Sequence, residues 1–131
     1  MKHDSLMSHF LSVFEKYKNK VIFSYLFGSL ARGDYSTLSD IDIAVFLSKK
    51  KKESDFDIKL SLYNDFNKIF KRNDIDVLIL NTTKNLILLD EIVRNGWVVY
   101  DTCPEIREEF EINILHEAID FKQQRLLFIG I

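Results

Sequence analysis

With a single cysteine, Cys103, the chain can close no internal disulfide, and the cytosol is its expected compartment. Long apolar runs are also missing. Nothing approaches the roughly 20 consecutive apolar residues that cross a bilayer, and the opening MKHDSLMSHF lacks the apolar region and cleavage site of a signal peptide. Neither sign of charge dominates, since 18 Lys and Arg stand against 20 Asp and Glu for a net charge of -2. That balance argues against a general nucleic-acid binder, which needs a basic face to neutralise phosphates. Neither direct nucleic-acid binding nor membrane association is expected. The only basic run, Lys49 to Lys52, reads first as a solvated loop. No Cys and His spacing suits zinc, because His3, His9 and His116 are scattered, and neither GxxxxGK[ST] nor GxGxxG occurs.

Glycine is scarce too, at four residues, yet Gly28 and Gly33 both fall within FGSLARGDYSTLSDIDIAVF, residues 27–46. Glycine lets backbone turn sharply or approach a ligand closely, so this clustering marks a site. The rest of the composition, 47% apolar and 29% charged with eleven Phe and five Tyr, is that of a globular protein with a well-filled interior. At 131 residues the expectation is one domain over 1–131, too short to add a separate substrate domain. Residues 104–131 are read as a C-terminal helix and the apolar tail LLFIGI, open to a partner or a second copy.

Apolar periodicity predicts an amphipathic helix from about Asp4 to Lys18, capped by Asp4 or Ser5, and strands at Val21 to Phe27 and Ile41 to Leu47. A brief helical turn is expected at Ser29 to Gly33. Helical spacing returns over Asp55 to Phe70, followed by a strand at Ile75 to Leu80. Thr82 or Thr83 is a candidate cap for a helix carrying Leu86, Leu89, Ile92 and Val93 that stops at Gly96. A short strand at Trp97 to Tyr100 precedes a last helix with Pro104 in its first turn and Ile106, Phe110, Ile114, Ile119 and Phe121 as apolar positions. Alternating helices and strands predict an α/β fold.

Residues two apart on a strand share a face, so Asp40 and Asp42 place two carboxylates side by side while Ile41, Ile43 and Val45 point the other way. Such a pair repels unless a cation sits between, and a hard divalent ion such as Mg²⁺ takes oxygen ligands. A helical crossover makes the strand of Asp76 parallel to that of Asp42, bringing both strand starts to one end of the sheet. Asp76 is preferred over Asp74 because it lies within the strand. For Gly28 and Ser29 to reach that end, the first strand must run antiparallel to the second, giving a mixed β-sheet flanked by helices. Gly28 and Ser29 then offer backbone N–H groups and a hydroxyl to phosphate oxygens. Three carboxylates beside a phosphate cradle suggest two-metal phosphoryl chemistry. Arg32 can serve phosphate or acceptor, or pair with Asp34. Cys103 is read as inert.

The stretch GSLARGDYSTLSDIDI resembles the signature of the minimal nucleotidyltransferases, GSxARGxxxxxSDxDL, with only Ile43 in place of Leu. That family belongs to the nucleotidyltransferase superfamily that includes polymerase beta and kanamycin nucleotidyltransferase. The resemblance covers about Val21 to Tyr100 and implies a polymerase beta palm-like fold. It implies Gly28 and Ser29 at the triphosphate, and Asp40, Asp42 and Asp76 as catalytic metal ligands, Asp76 also as base; Arg32 stands as a nucleotide-binding candidate on its own position in the stretch. Many members of that family are antitoxins that transfer AMP from ATP to a tyrosine of a small helical HEPN ribonuclease toxin. The resemblance therefore implies a Mg²⁺-dependent protein adenylyltransferase, with two ions and ATP as donor, in a type VII-like toxin–antitoxin pair, and a HEPN toxin as partner in a homo- or hetero-oligomer. Two alternatives stand beside it: an antitoxin that neutralises by binding alone, and a small-molecule nucleotidyltransferase for an aminoglycoside-like acceptor.

Overall fold

The computed structural model describes residues 3–28 and 40–128. A helix α1, His3–Phe14, runs into a 3-10 turn, Glu15–Tyr17, and delivers the chain to strand β1, Val21–Phe27. Strand β2, Ile41–Leu47, leads to helix α2, Asp55–Phe70, and strand β3, Ile75–Ile79. A 3-10 turn at Leu80–Thr82, helix α3 (Leu86–Asn95), strand β4 (Trp97–Asp101) and helix α4 (Pro104–Phe128) complete the order.

The four strands form one mixed sheet in the order β3-β2-β1-β4. β1 is antiparallel to both β2 and β4, and β2 is parallel to β3. Alternation along each strand divides two cores between the faces. Ile41, Ile43, Val45 and Leu47 of β2 and Ile75, Val77 and Ile79 of β3 join Phe10, Phe14, Leu62 and Phe66 beneath α1 and α2. Phe23, Tyr25 and Ala44 join Leu89, Ile92 and Ile114 beneath α3 and α4. A register shift between Val21 and Phe23 lets both Ile22 and Phe23 serve this second core. Burying roughly a dozen large side chains fully, at about 1.5–3 kcal/mol each, supplies the driving force.

Local chemistry sets the boundaries. Ser54 caps α2, its hydroxyl accepting from the Asp57 N–H, and Lys71 closes the helix in the left-handed conformation at φ 54°. The cap of α3 is Asn85, which accepts from the Leu88 N–H, not Thr82 or Thr83. Thr82 is spent in the 3-10 turn, and the Thr83 hydroxyl donates back to the Ile79 carbonyl at 2.7 Å. α1 ends four residues before Lys18 because the chain tightens into the 3-10 turn that buries Tyr17, whose hydroxyl donates to Asp65 at 2.7 Å. Asp4 and Ser5, the expected caps, lie inside α1.

α4 is tied to the sheet by a polar network. Asp101 at the end of β4 accepts from the Cys103 N–H at 3.2 Å and from Arg107 Nε at 2.7 Å. Arg107 also donates to Glu111 at 2.9 Å, and the buried Tyr25 hydroxyl donates to the other Glu111 oxygen. Ile106, Ile119 and Phe121, expected as apolar contacts, are exposed, while Phe110 and Ile114 pack inward.

Candidate active site

Asp42 is the second residue of β2. Its antiparallel partner is Phe27, the last residue of β1, and its parallel partner is Asp76, the second residue of β3. The two aspartates therefore stand in register on adjacent strands, whose chains lie about 4.8 Å apart. Both fall on the α3/α4 face, because the residues flanking them, Ile41 and Ile43 or Ile75 and Val77, are buried under α1 and α2. Asp42 is half-buried and Asp76 is exposed.

Gly28 follows Phe27 directly and takes φ 80°, a conformation that favours glycine. A Cβ built there would stand 2.2 Å from Asp42 Oδ2. The bare Cα thus lets the end of β1 close onto the Asp42 carboxylate, so the glycine turn and the acid expected to share a site do meet. Ser29, Arg32, Gly33 and Asp34 lie outside the described residues.

Asp40 sits one residue before β2, at the same sheet end as the pair, and is exposed. The β2–β3 ladder begins at Ile41 opposite Ile75, so strand alternation does not fix Asp40 beside Asp42. Among the described residues no group of three or more His, Cys, Asp or Glu side chains is assembled to hold a metal ion. Of the three carboxylates expected to converge, the ladder pairs Asp42 with Asp76, and Asp40 lies at the same strand end without joining them in one cluster. The donor chemistry is nonetheless that of a hard cation, carboxylate oxygen alone, and the Asp42 carboxylate packs directly against the bare Gly28 Cα.

Sequence reasoning gave no role to Arg72, which borders this end of the sheet. Its guanidinium donates from Nε to Asp74 at 2.7 Å, and that hydrogen bond is the first cause raising its pKa above the ordinary value, with the Asp40 charge contributing. In return Arg72 holds the Asp74 carboxyl below its ordinary value. The Asp74 carbonyl accepts from the Ile41 N–H at 3.1 Å, locking the approach to β3 against the start of β2. Asp74 is thus engaged in holding the strand ends. The detectable signal was an Arg two residues before an Asp in a turn.

A separate groove of about 650 Å³ lies at the opposite end of β2, lined by Phe46, Ser48, Lys49, Lys50, Phe110 and Asn113 among others. It is remote from Asp42 and Asp76. Lys49 and Lys50 are exposed there, whereas Lys51 pairs with Asp55 at 2.7 Å. His9 packs edge-on against Phe70 with ring centroids 5.2 Å apart, which is a core contact.

The family model described as polymerase beta, nucleotidyltransferase matches residues 10–105, a span that contains Gly28, Asp40, Asp42 and Asp76. No curated protein sequence matches the chain significantly. Among solved structures, a chain of a toxin–antitoxin crystallised with AMP-PNP superposes with a TM-score of 0.74 at 20% identity, over 94% of this chain and 94% of that one. The toxin–antitoxin MntA-HepT superposes at 0.67 and 19% identity, over 94% of this chain and 92% of that one. A protein from Shewanella oneidensis superposes at 0.70 and 16% identity, over 98% and 96%. At identities this low the likeness is one of fold, and the match over residues 10–105 is what places that fold among the polymerase beta nucleotidyltransferases.

Proposed function

We propose, for a chain that belongs to the polymerase beta nucleotidyltransferase family, a reaction that moves AMP from ATP to a protein hydroxyl, with a tyrosine of a cognate HEPN ribonuclease toxin as acceptor. The observation that carries the proposal is the register pairing of Asp42 with Asp76 beneath the Gly28 turn. The fold shared with toxin–antitoxin proteins, one of them crystallised with AMP-PNP, supports a toxin as partner and an adenine nucleotide as donor.

Asp42 and Asp76, together with Asp40, would hold Mg²⁺, as two ions. Bound there, Mg²⁺ supplies charge neutralisation for the triphosphate and acidifies the attacking hydroxyl. The remaining work falls to the chain. The Gly28 turn, having no side chain, admits phosphate oxygens to backbone N–H groups beside Asp42, and Ser29 adds a hydroxyl donor with Arg32 as a further cation. The acceptor oxygen bonds to the α-phosphorus while the bond from that phosphorus to the bridging oxygen breaks, releasing pyrophosphate. Asp76, exposed at its strand start, receives the acceptor's proton. No helix among the described residues is long and apolar enough to cross a membrane.

Incubating the chain and its co-purifying partner with Mg²⁺ and ATP labelled at the α-phosphate tests this. Label on the partner is expected. Label on neither protein would overturn transfer and favour neutralisation by occlusion; label on an added aminoglycoside alone would move the acceptor to a small molecule.

A further inference from the structure

α4 carries more apolar surface than the sheet uses. Phe110 and Ile114 face the second core and Ala118 is buried along the same side. A second row, Glu108, Ile112, Leu115, Ile119 and Lys122, recurs at alternating spacings of four and three, the repeat of a helix–helix seam. Ile112 is 53% exposed and Ile119 46%, so nothing among the described residues covers them. α3, which flanks α4, is only 10 residues long against 25.

We propose that this row is a self-complementary seam on which a second copy of the chain docks, the two α4 helices running antiparallel about a two-fold axis at Leu115. The charges choose both the occupant and the direction. Glu108 closes the amino-terminal end of the row and Lys122 the carboxy-terminal end. Antiparallel pairing sets Leu115 against its own counterpart, Ile112 against the partner's Ile119, and Glu108 against the partner's Lys122. Parallel pairing would set Glu108 against Glu108 and Lys122 against Lys122. Both charges are available for this use: Glu108 is exposed, and Lys122 is 64% exposed with its ion pair to Asp90 no closer than 4.0 Å. A seam this short belongs to the small, weak class of interfaces, so dissociation in the micromolar range is expected. The assignment is independent of the catalytic proposal.

Sedimentation velocity of the full chain, from low micromolar to several hundred micromolar, tests it. The wild type should pass from monomer to dimer, and Ile119→Asp should remain monomeric with unchanged circular dichroism, since the site is exposed. Glu108→Lys and Lys122→Glu should each weaken self-association about tenfold by setting like charges across both ends of the seam. Mixing those two variants should restore dimers, because each then meets an opposite charge at both ends. A wild type that stays monomeric throughout overturns the proposal, including one whose row engages only a different protein. So does a dimer that survives Ile119→Asp, or a pair of charge-reversed variants that fail to recombine.

Discussion

Asp42 and Asp76 stand directly opposite each other in the parallel β2–β3 ladder, on the sheet face shared with α3 and α4. Two like charges placed this way raise each other's energy unless something positive or hydrogen-bonding compensates. Asp42 is moreover closed over by the Gly28 backbone. Carboxylate oxygens paired in this way are donors of the kind a hard divalent cation takes.

The neighbouring acids separate by role. Asp76→Asn is expected to lower transfer roughly 10²–10³-fold, the usual effect of removing one group that acts on the transition state. Asp74→Asn, which weakens the half-buried pair with Arg72, should cost about 1 kcal/mol and leave transfer within a few-fold. Parallel rate and melting measurements on the two variants check this.

Gly28→Ala places a methyl where the Asp42 carboxylate now lies, and at φ 80° the backbone disfavours any side chain. The expected cost is about 1–3 kcal/mol in stability, read as a drop of a few degrees in Tm. Transfer should fall further than stability does, because the residue displaced is Asp42. Comparison of Tm with the rate at a temperature where both proteins are folded separates the two effects.

Much of this arrangement was legible in the sequence. β1, β2 and α2 fall where alternation and helical spacing placed them, since each has one apolar face and a clear end signal. The mixed sheet followed from requiring Gly28, Asp42 and Asp76 at one end. What escaped were choices made by tertiary partners. Asn81 looks like a free turn residue, yet its side chain bonds both the N–H and the carbonyl of Leu47, which draws Leu80 out of β3 into a 3-10 turn and passes the capping of α3 to Asn85. Gly96 ends α3 at φ -74°, so its value lies in close approach: a Cβ there would meet the Ile92 carbonyl oxygen at 2.5 Å. Periodicity in α4 marked apolar positions but could not say that Ile119 faces solvent.

Stability should fall at alkaline pH through two phenols. Burial raises Tyr25 above its ordinary 10.0, reinforced by the Glu111 carboxylate, and burial followed by Asp65 does the same for Tyr17. Below about pH 10 both are neutral in folded and unfolded chains, and their contribution is complete. Above it the unfolded chain releases protons that the folded chain keeps, so stability declines as pH rises. Tyr25→Phe should flatten that decline in a melting series from pH 8 to about 11, and should cost about 1–3 kcal/mol at neutral pH by removing the donor to Glu111.

The most direct test of the catalytic account is the intact mass of the co-expressed partner, purified beside the wild-type chain and beside Asp42→Asn. The wild type should leave the partner heavier by whole AMP units on tyrosine. Asp42→Asn, folded and still associated, should leave it unmodified and cells unprotected. A partner unmodified by the wild type, or protection intact with Asp42→Asn, would contradict the account.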